Sequence, residues 1–280
     1  MSVLALVDCP TGLAGNMLLA ALLDLGLPEG VVQEPLAALG LAGAYRLQVE
    51  ERRSGGLRGC HLEVELLEQQ PPHRHWGELQ SQIAEAALEP GLQADVLQVF
   101  GLLAQAEAAV HGHAPEHVHF HEVGAVDALV DVVGVCAGLR HFQVSELVCT
   151  PPPAGHGRVT TAHGLLPVPA PAVLELARRC QLPLAASADF PAAPQPENQR
   201  WRPGAAGSAD FPAGELTTPT GLALMAVLAS RFASAPAVAH RPQAVGVGLG
   251  SRSLDRPNLL RLVLAQPIDA AEPQGQPRLE

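Results

Sequence analysis

Apolar and polar positions change period several times along this chain, and the changes mark its elements. VLALVD (3–8) is an unbroken apolar run of strand length. CPTGLAG then supplies turn residues, and NMLLAALLDLG (16–26) repeats with a helical period before Gly26. YRLQVEER and CHLEVELL alternate with period two on either side of RSGGLRG, which predicts a hairpin. Helical periodicity returns over 76–88 and 91–110. GAVDALVDVVGVCAGLR (124–140) is apolar around most of its circumference, as in a buried helix. ELVCTPP fits a strand, and PAPAVLELARRC fits a helix entered near Pro171, where a proline suits the first turn. ELTTPTGLALMAVLASRF (215–232) predicts a further helix. GVGLG (246–250) reads as a turn before a last strand in NLLRLVLA. Strand, glycine loop, helix is the opening of an α/β unit, and the sum is a mixed α/β (α+β) fold with a mixed sheet packed by several helices.

The stretch 183–214 breaks the pattern. It is rich in Pro, Ala and Gly and carries SADFPA twice, which predicts a flexible insertion. The expected organisation is an N-terminal α/β region over 1–182, the insertion at 183–214, a completing helix and strand over 215–265, and a disordered tail over 266–280.

Composition narrows the chemistry. The 280 residues carry a formal net charge of -11, which disfavours a nucleic-acid partner. All 17 basic side chains are arginine, so a phosphate-binding or Schiff-base lysine is excluded. The five cysteines are scattered and form no CxxC pair, which argues against a disulfide framework or zinc knuckle and fits a reducing compartment. No apolar run has membrane-spanning length, and MSVLALVDC lacks the basic start of a signal peptide. The expected location is the cytoplasm, with no membrane partner.

Candidate chemistry concentrates in HGHAPEHVHFHEVGAVDALVD (111–131), which has five histidines in its first eleven positions. An extended segment would put His117, His119 and His121 on one side and turn Val118 and Phe120 to the core, with His111 and His113 on a loop before it. Asp127 and Asp131 follow, four apart on one helix face, where they repel unless a cation lies between them. His119, His121, Glu122, Asp127 and Asp131 form the candidate metal set. Imidazole with carboxylate suits nickel, zinc or manganese. The alternative is a wet strand followed by the solvent face of a helix.

Three further stretches carry polar groups. In DCPTGLAGNM, Asp8 ends a strand, and Gly12, Gly15 and Asn16 lead into a helix whose amides suit an anion, with Asn16 as cap. In ELTTPTG, Thr218 is a cap, Pro219 fits the first turn, and the hydroxyls of Thr217, Thr218 and Thr220 would gather at the same end. GHGRVTTAHGLLPVPAPA places His156, Arg158 and His163 among glycines before spaced prolines. Each also reads as an ordinary turn, cap or connector.

Taken together and in this order, VHFHEVGAVDALVDVVG, HGLLPVPAPA, ELTTPTG and GLGSRSLDRPNLLR resemble the nickel-insertion proteins of the nickel-pincer cofactor pathway, the LarC type, over residues 1–265. The resemblance implies a nickel insertase of the lyase class. Its acceptor would be pyridinium-3,5-bisthiocarboxylic acid mononucleotide, and its product the cofactor of lactate racemase-type enzymes. It implies CTP breakdown with manganese or magnesium, delivery to apo lactate racemase, and a homo-oligomer. On this reading Asp8, Arg158 and His163 are catalytic; Gly12, Gly15, Asn16, Thr217, Thr218 and Thr220 hold the mononucleotide or CTP; and the five candidate ligands hold nickel. Asp127→Ala and Asp131→Ala should then impair nickel transfer, and His111→Ala should not.

The sequence departs from the family pattern at Pro10, Thr11 and Asn16, where the family usually has Phe-Ser and an aspartate, and in the length of 183–214. The family also commonly continues into a C-terminal domain associated with nucleotide binding, which this chain would need as a separate partner. A non-catalytic nickel carrier and a metal-dependent phosphohydrolase remain alternatives.

Overall fold

A computed structural model describes residues 2–67, 75–118, 120, 126–161, 164–185, 214–254 and 256–268. The opening unit is β1 (Val3–Asp8) and α1 (Gly15–Asp24), followed by α2 (Glu29–Ala38). The predicted hairpin forms as β2 (Tyr45–Ser54) and β3 (Leu57–Leu66), paired from Tyr45–Leu66 to Ser54–Leu57. Next come α3 (Trp76–Glu85), α4 (Pro90–His111), α5 (Val126–His141) and β4 (Val144–Cys149). A small hairpin of β5 (Arg158–Thr161) and β6 (Gly164–Pro167) precedes α6 (Pro171–Cys180). The described chain then resumes with α7 (Pro219–Leu228), β7 (Arg231–Phe232), β8 (His240–Leu249) and β9 (Leu259–Pro267).

Seven strands form one mixed sheet in the order β2-β3-β8-β9-β1-β4-β7. β1 pairs with β4 in parallel and with β9 antiparallel. The last two strands thus lie in the middle of the sheet, between the first hairpin and β1. α5 is buried along nearly its whole length, as its apolar circumference predicts, and packs against α1, α2, α4 and α7. Its Gly134 and Gly138 admit Leu19 and Leu22 of α1, which lie 2.8–2.9 Å from where a Cβ would stand.

Three local expectations are corrected. GVGLG is not a turn: Gly246 and Gly248 lie inside β8, and α1 rests directly on them. A Cβ at either position would overlap the main-chain oxygens of Ala21 and Met17, so these glycines serve close approach of helix to strand. His117 does not extend a strand. Pro115–His117 is a single 3-10 turn, closed by the Val118 N–H donating to the Pro115 carbonyl (3.1 Å). His111 is not on a loop, because α4 runs through it and ends at Gly112 in the left-handed region (φ 69°). Val118 and Phe120 do turn inward. Phe120 meets Trp76 and Phe100 edge-on, with ring centroids 6.4 and 6.3 Å apart. Both copies of SADFPA, and residues 269–280, lie outside the described residues.

Candidate functional site

The first two turns of α5 carry Asp127 and Asp131. Asp127 is exposed, and its Oδ1 accepts from the Ala128 N–H at 2.9 Å. Asp131, one turn deeper, is half-buried. Its Oδ1 is enclosed and has no partner among the described residues, while the Asn16 backbone N–H donates to the carboxylate. The start of α1 presses so closely here that a Cβ on Gly15 would sit 2.6 Å from Asp131 Oδ2. Burial raises the Asp131 carboxyl well above the usual aspartate value. The negative charge of Asp127 adds to this, and the Asn16 amide opposes it. A carboxylate so placed is stabilised by a proton or by a cation.

Asp127 and Asp131 open onto a cleft of about 620 Å³. Its other walls carry Glu107 and His111 from the last turn of α4, Arg52, His61 and Glu63 from the β2–β3 hairpin, Thr218 and Thr220 from α7, and Ser251 from the β8–β9 loop. His111 Nε2 lies 3.4 Å from Glu107 Oε2. His61 is buried, its Nε2 lies 3.1 Å from Ser251 Oγ, and its Nδ1 has no partner among the described residues. A recess of about 390 Å³ adjoins the cleft, sharing Asn16, Thr160, Thr218 and Ser251 and adding Arg158.

The nominated residues divide. Asp127, Asp131, Gly15, Asn16, Thr218 and Thr220 meet at the cleft, and Arg158 lines the recess. His119, His121, Glu122 and His163 lie outside the described residues. Three others are engaged elsewhere. Asp8 accepts from Arg261 Nε on β9 at 2.8 Å and is not among the cleft-lining residues. Thr217 is fully buried, and its hydroxyl donates to the Pro153 carbonyl at 2.7 Å. Gly12 packs under the Leu216 carbonyl, 3.0 Å from where its Cβ would stand.

Asn16 is not the cap of α1. It lies within the first turn after Ala14, so its side chain cannot cap while its amide holds Asp131. Thr218 does cap α7, its Oγ1 accepting from the Gly221 N–H at 3.1 Å. The two loops also pair with each other: Leu13 N–H donates to Leu216 O and Thr218 N–H to Leu13 O, each at 2.9 Å. The amides of Leu13, Asn16, Thr218 and Gly221 are therefore used inside the fold rather than held open for an anion.

Sequence reasoning passed over Glu107, His61, Arg52 and Ser251 and set His111 aside. Glu107 and His111 carry the same i,i+4 signature on an apolar helix that drew attention to Asp127 and Asp131. His61 and Ser251 carry no such signal, because sheet order alone brings them together. Among the described residues no three His, Cys, Asp or Glu side chains converge as a metal site.

Fold and cleft together define an α/β protein with an acidic cleft. A family model described as "Nickel insertion protein" matches residues 5–278, and the chain belongs to that family. A relative from Synechococcus sp. (strain JA-3-3Ab), named "Putative nickel insertion protein", is 44% identical over 262 residues, covering 94% of this chain and 60% of its own length. Relatives of the same name from Gloeothece citriformis and Geotalea daltonii are 40% and 39% identical, covering 97% and 95% of this chain and 63% and 61% of their own. The chain thus spans about three fifths of the length of the curated relatives it matches. No solved structure matches it. Among the described residues no helix is long and apolar enough to cross a membrane.

Proposed function

We propose that the cleft receives a nickel ion at Asp127 and Asp131 and passes it to the sulfurs of pyridinium-3,5-bisthiocarboxylic acid mononucleotide, forming the nickel-pincer cofactor of lactate racemase-type enzymes. The observation that carries this reading is the enclosed Oδ1 of Asp131, unpartnered among the described residues, beside a second carboxylate. A divalent cation relieves both the desolvation and the mutual repulsion. Carboxylate oxygens hold nickel as hard ligands, and soft sulfur acceptors draw it away, so transfer runs downhill.

His119, His121 and Glu122 precede α5 by a few residues and are the proposed completing ligands. Arg158 in the recess and His163 in the adjoining chain assist the acceptor, with Thr218 and Thr220 on the same wall. Asp8, Thr217 and Gly12 contribute through the fold. CTP with manganese or magnesium belongs to the whole insertase, in partnership with a C-terminal domain. Among the described residues no three His, Cys, Asp or Glu side chains gather for a resident manganese or magnesium, so no step here runs through one.

The test incubates the purified chain with nickel, manganese, CTP and the dithiolated mononucleotide, with and without a supplied C-terminal domain, then adds apo lactate racemase. Racemase activation is expected with the domain present. Its absence in both arms overturns the proposal.

A further inference from the structure

The sheet side of the cleft holds a polar pair, a buried histidine beside an exposed serine, that the metal reading leaves unused. His61 is 3% exposed, with Nε2 3.1 Å from Ser251 Oγ and an enclosed Nδ1 that meets no partner among the described residues. One neutral imidazole carries one N–H, so two arrangements are possible. With the proton on Nδ1, a buried donor is left unpaired, and Ser251 must spend its only proton on Nε2. With the proton on Nε2, the unpaired atom is an acceptor lone pair, and Ser251 Oγ accepts from the ring. Orphaned buried donors are the rarer and costlier case, so the second arrangement is favoured. Burial lowers the tendency of His61 to protonate, and Arg52 adds to this against the opposing charges of Glu63 and Glu50, which keeps the ring neutral.

We infer that His61, as its Nε2–H tautomer, is a positioning residue that holds Ser251 Oγ as an acceptor and so turns the Ser251 proton into the cleft, as a donor to an oxyanion of the molecule that receives the metal. This pair is not a nucleophile and its base, because the ring nitrogen facing the hydroxyl already carries a proton. Ser251 borders both the cleft and the recess, while the nearby amides of Asn16, Thr218 and Gly221 are engaged within the fold. The cleft is thereby bipolar, with carboxylates for the cation on α5 and a hydroxyl donor for an oxyanion on the sheet side. This inference rests on the proposal that the cleft receives the acceptor molecule, yet it is tested without metal.

Binding of inorganic phosphate and, in a second arm, succinate to the nickel-free chain is measured by titration calorimetry. Nickel binding is measured separately, so loss of one and not the other separates the two proposals. Ser251→Ala should weaken the preferred oxyanion about tenfold or more, as loss of a hydrogen bond to a charged group does. His61→Leu should do the same with no further loss in the double variant, and His61→Gln, whose amide can still donate to Ser251, should restore binding to within about threefold. Nitrogen-15 NMR of His61 should show the Nε2–H tautomer. A preference for phosphate or for succinate assigns the oxyanion. The inference is overturned by an Nδ1–H ring or imidazolium near neutral pH, by equal oxyanion binding in wild type and Ser251→Ala, or by undetectable binding of both probes.

Discussion

The two walls of the cleft are built by different means. The helical wall takes Asp127 and Asp131 from one turn of α5 and braces them with the start of α1, where Gly15 leaves room for a carboxylate and the Asn16 amide holds it. The sheet wall takes Arg52 from β2, His61 from β3 and Ser251 from the β8–β9 loop, and pairing of β3 with β8 brings the latter two together. The first is a tightly packed unit in which one added methyl group meets a charged atom. The second is a set of polar side chains at a looser, more exposed rim, with only His61 buried. Under the proposed function, selectivity for a small cation demands the rigid wall, and a larger acceptor suits the looser one.

The sharpest break in this comparison is at Asp131. Asp131→Asn keeps shape and removes the charge. Since losing a residue behind a metal ligand already costs ~10–100-fold in affinity, losing a direct ligand should cost at least about 100-fold in nickel binding, read by competition with a chromophoric chelator. The same substitution should flatten the dependence of metal-free stability on pH. The folded carboxyl has a raised value, so its stabilising contribution is complete below the ordinary aspartate value of 3.8 and is lost as pH rises through the raised one. Melting curves across that range should fall more steeply with rising pH for wild type than for Asp131→Asn. Parallel curves would show that Asp131 is not shifted in the folded chain.

Gly15→Ala tests the bracing. A Cβ 2.6 Å from Asp131 Oδ2 must displace the carboxylate or α1. Overpacking of this kind costs about 1–3 kcal/mol, measurable by urea unfolding, and should lower nickel affinity as well. Unchanged affinity with lost stability would separate the brace from the site.

Thr217→Val strips the buried Pro153 carbonyl of its donor and should cost about 1–3 kcal/mol while leaving metal binding unchanged. The helical wall would not depend on that joint if the prediction holds. His111→Ala, which the sequence alone expects to be silent, now removes a cleft residue paired with Glu107, and a few-fold loss of nickel transfer is the revised expectation.

The smallest effect belongs to the rim. Arg52 is exposed and already pairs with Glu50 at 2.8 Å, so Arg52→Gln should change stability by at most about 1 kcal/mol. A larger loss would mean that the sheet wall is as tightly coupled as the helical one.

Legibility followed the range of the contacts involved. The hairpin, the buried α5, the Thr218 cap and the carboxylate pair were readable because each depends on residues within one or two turns or one strand pair. GVGLG was misread as a turn since a glycine pair looks the same in sequence whether it bends the chain or admits a helix, and α1 decides which. Asp8 looked like a site residue at the end of a strand, and only the neighbouring β9 shows its carboxylate occupied by Arg261. Of the amides expected to face an anion, those of Leu13 and Thr218 join two loops more than 200 residues apart, that of Asn16 holds Asp131, and that of Gly221 meets the Thr218 cap.

By itself, the sequence determined the opening strand and helix, the β2–β3 hairpin, the buried α5, the mixed α/β class, the absence of lysine chemistry and the placing of two aspartates on one face of an apolar helix, all consequences of local periodicity and side-chain type. The tertiary structure alone decided which polar groups remain unpaired, because satisfaction of a buried donor or acceptor depends on what the rest of the chain brings within about 3 Å. That is why Asp131 could be read in advance as a candidate, while the pairing of His61 with Ser251 could not.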